Sequence, residues 1–575
     1  MAPLLLIAFV AIVGFGVLIA RNSGAQALET FRANWGQPVS RDRKIEAISA
    51  SHRSRLSTVG SKASIDDRTW DDLDLDAVFT AIDRTVSTLG QHALYHRLRT
   101  APVAAHLDAF EALVSRFETD RECRERAQVA LSRLSDPHGY DLWWLARDDA
   151  VETQPWHVLF PILTATTILA AILAPIVPQF IPALIGMIAL NIGVRYMTDR
   201  RIGALAAAFR QVAPVVTTAE SLRFLDGDDV RPIVGAIQAD TPSLRRLKSI
   251  ARWVSGDPLM LSVHADPLTV GINDVVSSAY EYLNLFFLLD GNGIYFGARS
   301  LRAHHAALLR VIVAIGEVDA AISTASFRAG RSDWVRPSFR EPGASAVITD
   351  VRHPLLLEAV PNSVSLARGR GLLITGSNMS GKSTFLRTIG VTAVLAQTLN
   401  TCLAASYEAP VYNVRSCIGR SDDLLSGKSY YIAEVESLLE LVEASGNAAP
   451  HLFLLDELFR GTNAVERIAA GQAVLLELVS GSDRANPHVV IAATHDGELV
   501  DLLPHRYSAF HFGDTVGPDG LIFDHRLRPG PATTRNAIAL LRMHGASEGL
   551  IRRALECAET LDAERNRSLP TSART

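Results

Sequence analysis

Leu372–Thr384, LLITGSNMSGKST, constrains the fold more than any other stretch. An apolar run reads as a buried strand. It leads into G-x-x-x-x-G-K-S and then FLRTIGVTAVLAQTL, whose apolar residues recur at helical spacing. Strand, glycine-bent loop and helix in that order belong to an α/β sheet, where ligands gather at the C-terminal strand ends. Gly376 and Gly381 let the loop, with Ser377, Asn378, Met379 and Ser380, curl its N–H groups toward phosphate oxygens. Lys382 is expected to reach the β- and γ-phosphates and Ser383 to ligate Mg²⁺, with Thr384 completing the loop. Arginine greatly outnumbers lysine in the chain, so a lysine here suits a site that wants a compact ammonium rather than a planar fork.

Two further apolar strands end in chemistry. His451–Glu457 (HLFLLDE) places Asp456 to hold Mg²⁺ through water and Glu457 to orient or deprotonate an attacking water. Val489–Ala493 runs into Thr494-His495, and a histidine at that strand end is positioned to sense a γ-phosphate. Between them, Ser426, Gly427, Lys428 and Ser429 form a small polar segment opening a helix. It either offers donors to phosphate or is an ordinary N-capped helix start, and spacing does not separate the two.

The apolar residues also cluster elsewhere. Leu4–Ala20 carries no charge and precedes Arg21, and Val158–Val194 is uncharged but interrupted by Pro175, Pro178 and Pro182. The first reads as an uncleaved membrane anchor, with a signal peptide as rival because Ala25-Gln26-Ala27 resembles a cleavage site. The second reads as two spans meeting near Pro175–Gln179 with Trp156 at an interface, its rival being a buried hairpin of a soluble core. Arg32, Arg41, Arg43 and Lys44 after the first run, and Arg195, Arg200 and Arg201 after the second, predict a multi-pass cell-membrane protein with its nucleotide site in the cytoplasm.

At 575 residues the chain has room for about four domains. With 20% charged and 48% apolar residues it is not a disordered chain. The net charge of −5 gives no overall basic surface for nucleic acid. Four dispersed cysteines without a C-x-x-C pair argue against a zinc site or a disulfide framework.

Taken in order, GSNMSGKST, SDDLLSGKSYYIAEVESL, LFLLDELFRGTN and AATHDGEL resemble the ATPase domain of the MutS mismatch-repair family. Arg352-His353-Pro354 and Pro361-Asn362 resemble its lead-in, and LRPGPATTRNAIALLRMHGASEGLIRRALE its C-terminal helix-turn-helix. Leu75–Arg99 and Glu317–Pro337 resemble the two ends of its lever region.

The resemblance implies an α + α/β chain that binds ATP and Mg²⁺ and works as a homodimer. Ser429 would reach the partner's γ-phosphate, and Arg460-Gly461-Thr462 would lie at the dimer contact. Its parts are a transmembrane anchor (1–21), a helical core (22–156 and 196–340) interrupted by a membrane hairpin (157–195), a P-loop ATPase (341–530) and a helix-turn-helix tail (531–575). Ser377 and Ser380 depart from the family loop, and Ala359 stands where an aromatic often stacks on adenine. No mismatch-reading segment is recognised. Phe117-Glu118 reads as helix surface instead, and no basic run extends beyond Arg245-Arg246-Lys248. An ATPase acting on DNA in repair or recombination and an ATP-driven membrane scaffold without mismatch recognition therefore both fit. A transporter half fits less well, having too few spans.

Overall fold

The computed structural model describes residues 26–59, 65–100, 104–135, 142, 154–254, 282–377, 379–419, 430–446, 449–480, 488–517, 520–532 and 537–568. The expected anchor at 4–20 and the segment 426–429 lie outside these residues. The described parts of 1–62, 82–97 and 102–332 form one compact unit; those of 63–81, 98–101 and 333–575 form another.

The first unit is helical. Its elements include α1 (Thr88–Arg99), α2 (Leu159–Leu173), α3 (Ile181–Arg210) and α4 (Leu289–Ala329). Helix α4, 41 residues long, is the spine against which Ala104–Thr119, Arg231–Asp240 and Arg245–Val254 pack. Phe110, Leu113 and Phe117 are fully buried here, so the reading of Phe117 as helix surface is corrected. They recur at helical spacing, and that stripe outweighs the charged neighbours that suggested exposure. Glu118 is half-buried and accepts from the buried Arg328 guanidinium at 3.4 Å.

Buried carboxylates tie this unit together. Asp83 accepts from Arg41 at 2.6 Å and from Arg43 at 2.8 Å. Asp319 accepts from the backbone N–H groups of Val86 and Ser87 just ahead of α1. Gly90 allows that approach, since a Cβ there would lie 2.1 Å from Asp319 Oδ2.

Pro155–Leu173 and Pro178–Thr198 are long and apolar enough to cross a membrane, and prolines punctuate the turn between them. Most of their apolar side chains point outward rather than into the unit: Ile172 is 59% and Ile185 62% exposed.

The second unit is α/β. Strands β1 (Ser338–Phe339), β2 (Ala346–Val351), β3 (Asn362–Leu366) and β5 (Ser406–Ala409) make one sheet in the order β1-β5-β2-β3. The other sheet contains β4 (Gly371–Thr375), β6 (Asn413–Cys417), β7 (His451–Asp456), β8 (Val489–Thr494), β9 (Tyr507–Gly517) and β10 (Gly520–Pro529). Its order is β10-β9-β4-β8-β7-β6, parallel except for the β9–β10 hairpin.

Strands β4, β7 and β8 are mostly apolar and buried along nearly their whole length, as parallel strands packed on both faces are. Helix α5 (Lys382–Leu399) is buried almost all round, as a helix between two sheets must be. Helices α6 (Tyr430–Ser445) and α7 (Ala464–Ser480) pack on a core that includes Phe453, Leu455, Leu475 and Val490. The helices Ala537–Met543 and Glu548–Ser568 follow the sheet.

The short helix Asp67–Asp72, which the sequence pattern groups with the helical core, is stitched into this second unit. Asp72 Oδ2 accepts from Ser416 Oγ at 2.7 Å and from the Ile418 N–H at 2.9 Å. Asp66 accepts from Arg415 at 2.6 Å.

Candidate active site

The strand register builds the site. Thr375 pairs with Thr494, and Asp456 with Ala493, so β4, β7 and β8 end together. Immediately beyond β4 the chain turns sharply at Gly376 (φ +150°) and Gly381 (φ +114°) before entering α5. A Cβ at Gly376 would come within 3.0 Å of the Phe512 carbonyl, so the loop closes only with glycine there.

Lys382, the first residue of α5, folds its side chain back under this loop. Its Nζ donates to the carbonyls of Gly376 (3.0 Å) and Ser377 (2.9 Å) and lies 3.3 Å from His495 Nε2. Burial lowers its pKa, opposed by the carboxylates of Asp456, Glu457 and Asp514. Ser383 hydrogen-bonds Asp456, whose pKa burial raises. Asp456 Oδ1 is buried without a hydrogen-bond partner, as is Ser380 Oγ.

Glu457 sits one residue past β7 with φ +50°, its N–H donating to Ala493 O at 3.0 Å. Its Oε1 lies 2.8 Å from His495 Nε2, and its Oε2 lies 3.2 Å from Arg460 Nε. The single His495 Nε2 either donates to Glu457 or accepts from Lys382, so its tautomer chooses between them.

The glycines, Lys382, Ser383, both carboxylates and His495 therefore lie together at this loop. Met379 projects from the loop with φ +68°, and Thr384 follows in the first turn of α5. Asn378 and Ser429 lie outside the described residues.

Beside the loop opens a cavity of about 380 Å³. Ala359, His353, Met379, Thr384, Glu457 and His525 are among its lining residues.

Several neighbours had no sequence signal. Asp514 accepts from Ser377 Oγ at 2.6 Å, and His525 Nδ1 lies 3.0 Å from Ser380 O. Both come from the β9–β10 hairpin, which reaches the loop only because β9 pairs with β4. Asn362 holds that hairpin, donating to His525 O at 3.0 Å and accepting from the Leu527 N–H at 2.7 Å. Glu434 in α6 accepts from the Phe459 N–H at 2.6 Å. It thereby fixes the turn after Glu457, where Phe459 also has a positive φ of 56°. Its position within YYIAEVES, directly after the polar segment, was the available hint.

Residues 372–562 match the model of MutS domain V. The chain is 35% identical over 263 residues to the DNA mismatch repair protein MutS of Thermus aquaticus, covering 45% of this chain and 31% of that protein. It is 32% identical over 292 residues to the DNA mismatch repair protein MutS 2 of Halobacterium salinarum, covering 48% and 33%. The chain thus spans about a third of the length of these curated relatives. The sheet and helices that carry this loop thus match domain V of the MutS family.

Proposed function

We propose that the chain is an ATPase of the MutS type, held at the cell membrane by the pair Pro155–Leu173 and Pro178–Thr198, with its nucleotide site in the cytoplasm. It binds and hydrolyses ATP as a homodimer. One observation carries the chemistry: Lys382, the Ser383–Asp456 pair and the Glu457–His495 pair meet at one glycine-bent loop.

The donor set fits Mg²⁺ and a triphosphate. Asp456 Oδ1 is an orphaned buried acceptor next to a hydroxyl, the arrangement a hydrated cation satisfies. Ser383 and Asp456 would hold the ion, which supplies charge neutralisation on the phosphates. Lys382 exchanges its two loop carbonyls for phosphate oxygens, and the loop N–H groups do the rest of the cradling. Glu457 accepts the proton of the attacking water at its carboxylate, while His495 and Arg460 orient that carboxylate. Base and sugar enter the cavity between Ala359, Met379 and His525. With alanine in place of a stacking aromatic, the His525 ring is one flat surface that lines the cavity.

The outward-facing apolar side chains of the helical pair support the membrane reading, because a water-exposed patch of that kind is costly. DNA mismatch repair, named for the relatives, is the role we carry over for the dimer's output. A second reading, a nucleotide-driven membrane scaffold that does not read DNA, is favoured by one observation. The Arg245-Arg246-Lys248 run is partly neutralised by Glu220, which lies 3.7 Å from Arg245 Nε and hydrogen-bonds Lys248.

The test uses purified full chain. Lys382→Ala should abolish binding of a fluorescent ATP analogue, whereas Glu457→Ala should bind it and lose turnover by about 10²–10⁴-fold. Turnover retained in Lys382→Ala would remove the phosphate role of Lys382, and absence of turnover in the parent chain would end the ATPase reading. Affinity for homoduplex and mismatched DNA over a salt series separates the two outputs: a steep salt dependence supports DNA action, and no binding supports the scaffold.

A further inference from the structure

The helical pair does not stand alone. A turn of helix at 282–287 is followed by Leu288 in the left-handed region (φ +50°), and only then does α4 begin. Such a break releases backbone groups, and the neighbouring spans take them up. Asn191 of α3 is fully buried, and its Nδ2 donates to the Phe286 carbonyl at 2.6 Å and to Thr167 Oγ1 at 2.9 Å. Thr164 of α2 donates to the Phe287 carbonyl at 2.6 Å and accepts from Asn292 Nδ2 at 2.7 Å. The Asp290 N–H is diverted to Asn284 Oδ1 at 3.0 Å, and its carboxylate pairs with Arg195 at 3.2 Å.

Depth follows from helix rise. Thr167 lies twelve residues inside Pro155–Leu173, roughly 18 Å along the helix, and Asn191 seven residues inside Pro178–Thr198, roughly 10 Å. Thr167 lies well inside the apolar zone, and Asn191 one helical turn inside its Arg195 end. In hydrocarbon an interrupted helix survives only where protein groups satisfy its freed carbonyls, and that is the pattern found. The broken segment exposes large apolar side chains as the pair does: Tyr282 is 63%, Leu283 48% and Phe296 49% exposed. Gly291 lets Phe160 of α2 lie against the start of α4, since a Cβ there would be 2.6 Å from that ring.

We infer that residues 282–298 are a third lipid-inserted element, a broken helix seated on the helical pair by the Asn191, Thr164 and Asn292 amides and hydroxyl, with its Tyr282–Leu283–Phe296 face against acyl chains. The inference rests on the membrane reading of the pair. It turns the pair from a tether joined by loops into one end of the long helix α4, because the polar clasp fastens both spans to that helix.

The experiment places a fluorescent label on single cysteines at Leu283, Phe296 and Ile185 in the full chain carrying Cys557→Ser. The protein is reconstituted in phosphatidylcholine vesicles with or without lipids brominated in mid-chain. Labels at Leu283 and Phe296 should be quenched at least half as strongly as the label at Ile185. Quenching at Ile185 alone overturns the third element and leaves the helical pair in the membrane. Quenching at none of the three overturns the membrane reading too. Adding Asn191→Leu keeps the pair apolar and unseats the break, so the Leu283 signal should fall at least twofold while Ile185 is unchanged. An equal Leu283 signal in that variant overturns the clasp.

Discussion

Burial pushes the carboxyls of Asp319 and Asp456 toward protonation, and the two regions answer that burial in opposite ways. In the helical unit Asp319 is saturated, accepting from Val86 N at 2.9 Å, Ser87 N at 2.7 Å and Ser87 Oγ at 2.6 Å. In the α/β unit Asp456 shares the Ser383 hydroxyl and keeps a buried oxygen with no donor. A saturated buried carboxylate is a fastening. An open one at a strand's C-terminal end is a place kept for something that arrives later. On the proposed function, the difference separates groups that hold the fold from groups that act.

Exchanging the two roles breaks the comparison most directly. Asp456→Ala should lower magnesium-dependent turnover by about a thousandfold, several kcal/mol of barrier, while its urea unfolding free energy stays within about 1 kcal/mol of the parent. A large stability loss there would make Asp456 a fastening too. Asp319→Ala should do the reverse, costing about 3 kcal/mol in unfolding because three donors lose their acceptor, with ATP affinity unchanged. Gly90→Ala probes the same fastening from the other side. Its Cβ must push the Asp319 carboxylate away, at about 2 kcal/mol in the same urea titration.

The smallest effect is a pH slope. Asp319 is pushed up to about 6 from its ordinary 3.8, so the folded chain holds that proton more tightly than the unfolded one. Its contribution is complete below about pH 4 and is lost as pH rises through 6. The isosteric Asp319→Asn should therefore show a smaller difference in urea midpoint between pH 5 and pH 7 than the parent shows. An equal difference would assign the slope to other groups.

The part of the site that is contiguous in sequence was legible. Gly376, Gly381, Lys382, Ser383, Asp456, Glu457 and His495 each stand at the end of an apolar strand or the start of a helix, where spacing alone fixes direction. Asp514, His525 and Asn362 were not legible, because their position depends on β9 choosing β4 as its partner and on the irregular register between Phe523 and Leu527. The helix Asp67–Asp72 was hidden for the same reason. Its polar residues look solvated until β6 supplies Arg415, Ser416 and the Ile418 N–H. Phe117 was misread because its charged neighbours masked a buried stripe. The interruption at Leu288 leaves no periodicity to detect, since a left-handed leucine follows from its surroundings rather than from its own preference.

The Asp72–Ser416 bond spans 344 positions of chain. A ribosome adding about 5–20 residues per second needs on the order of 17–70 s between making the two ends of that bond. Through that interval the early helix waits with Asp72 unclaimed by β6, and the α/β half is completed only when the nascent chain returns to collect it. An expression fragment beginning at Asp333 would lack that piece altogether and leave the Ile418 N–H without its acceptor, so the α/β half is not a module that can be cut out at the obvious joint.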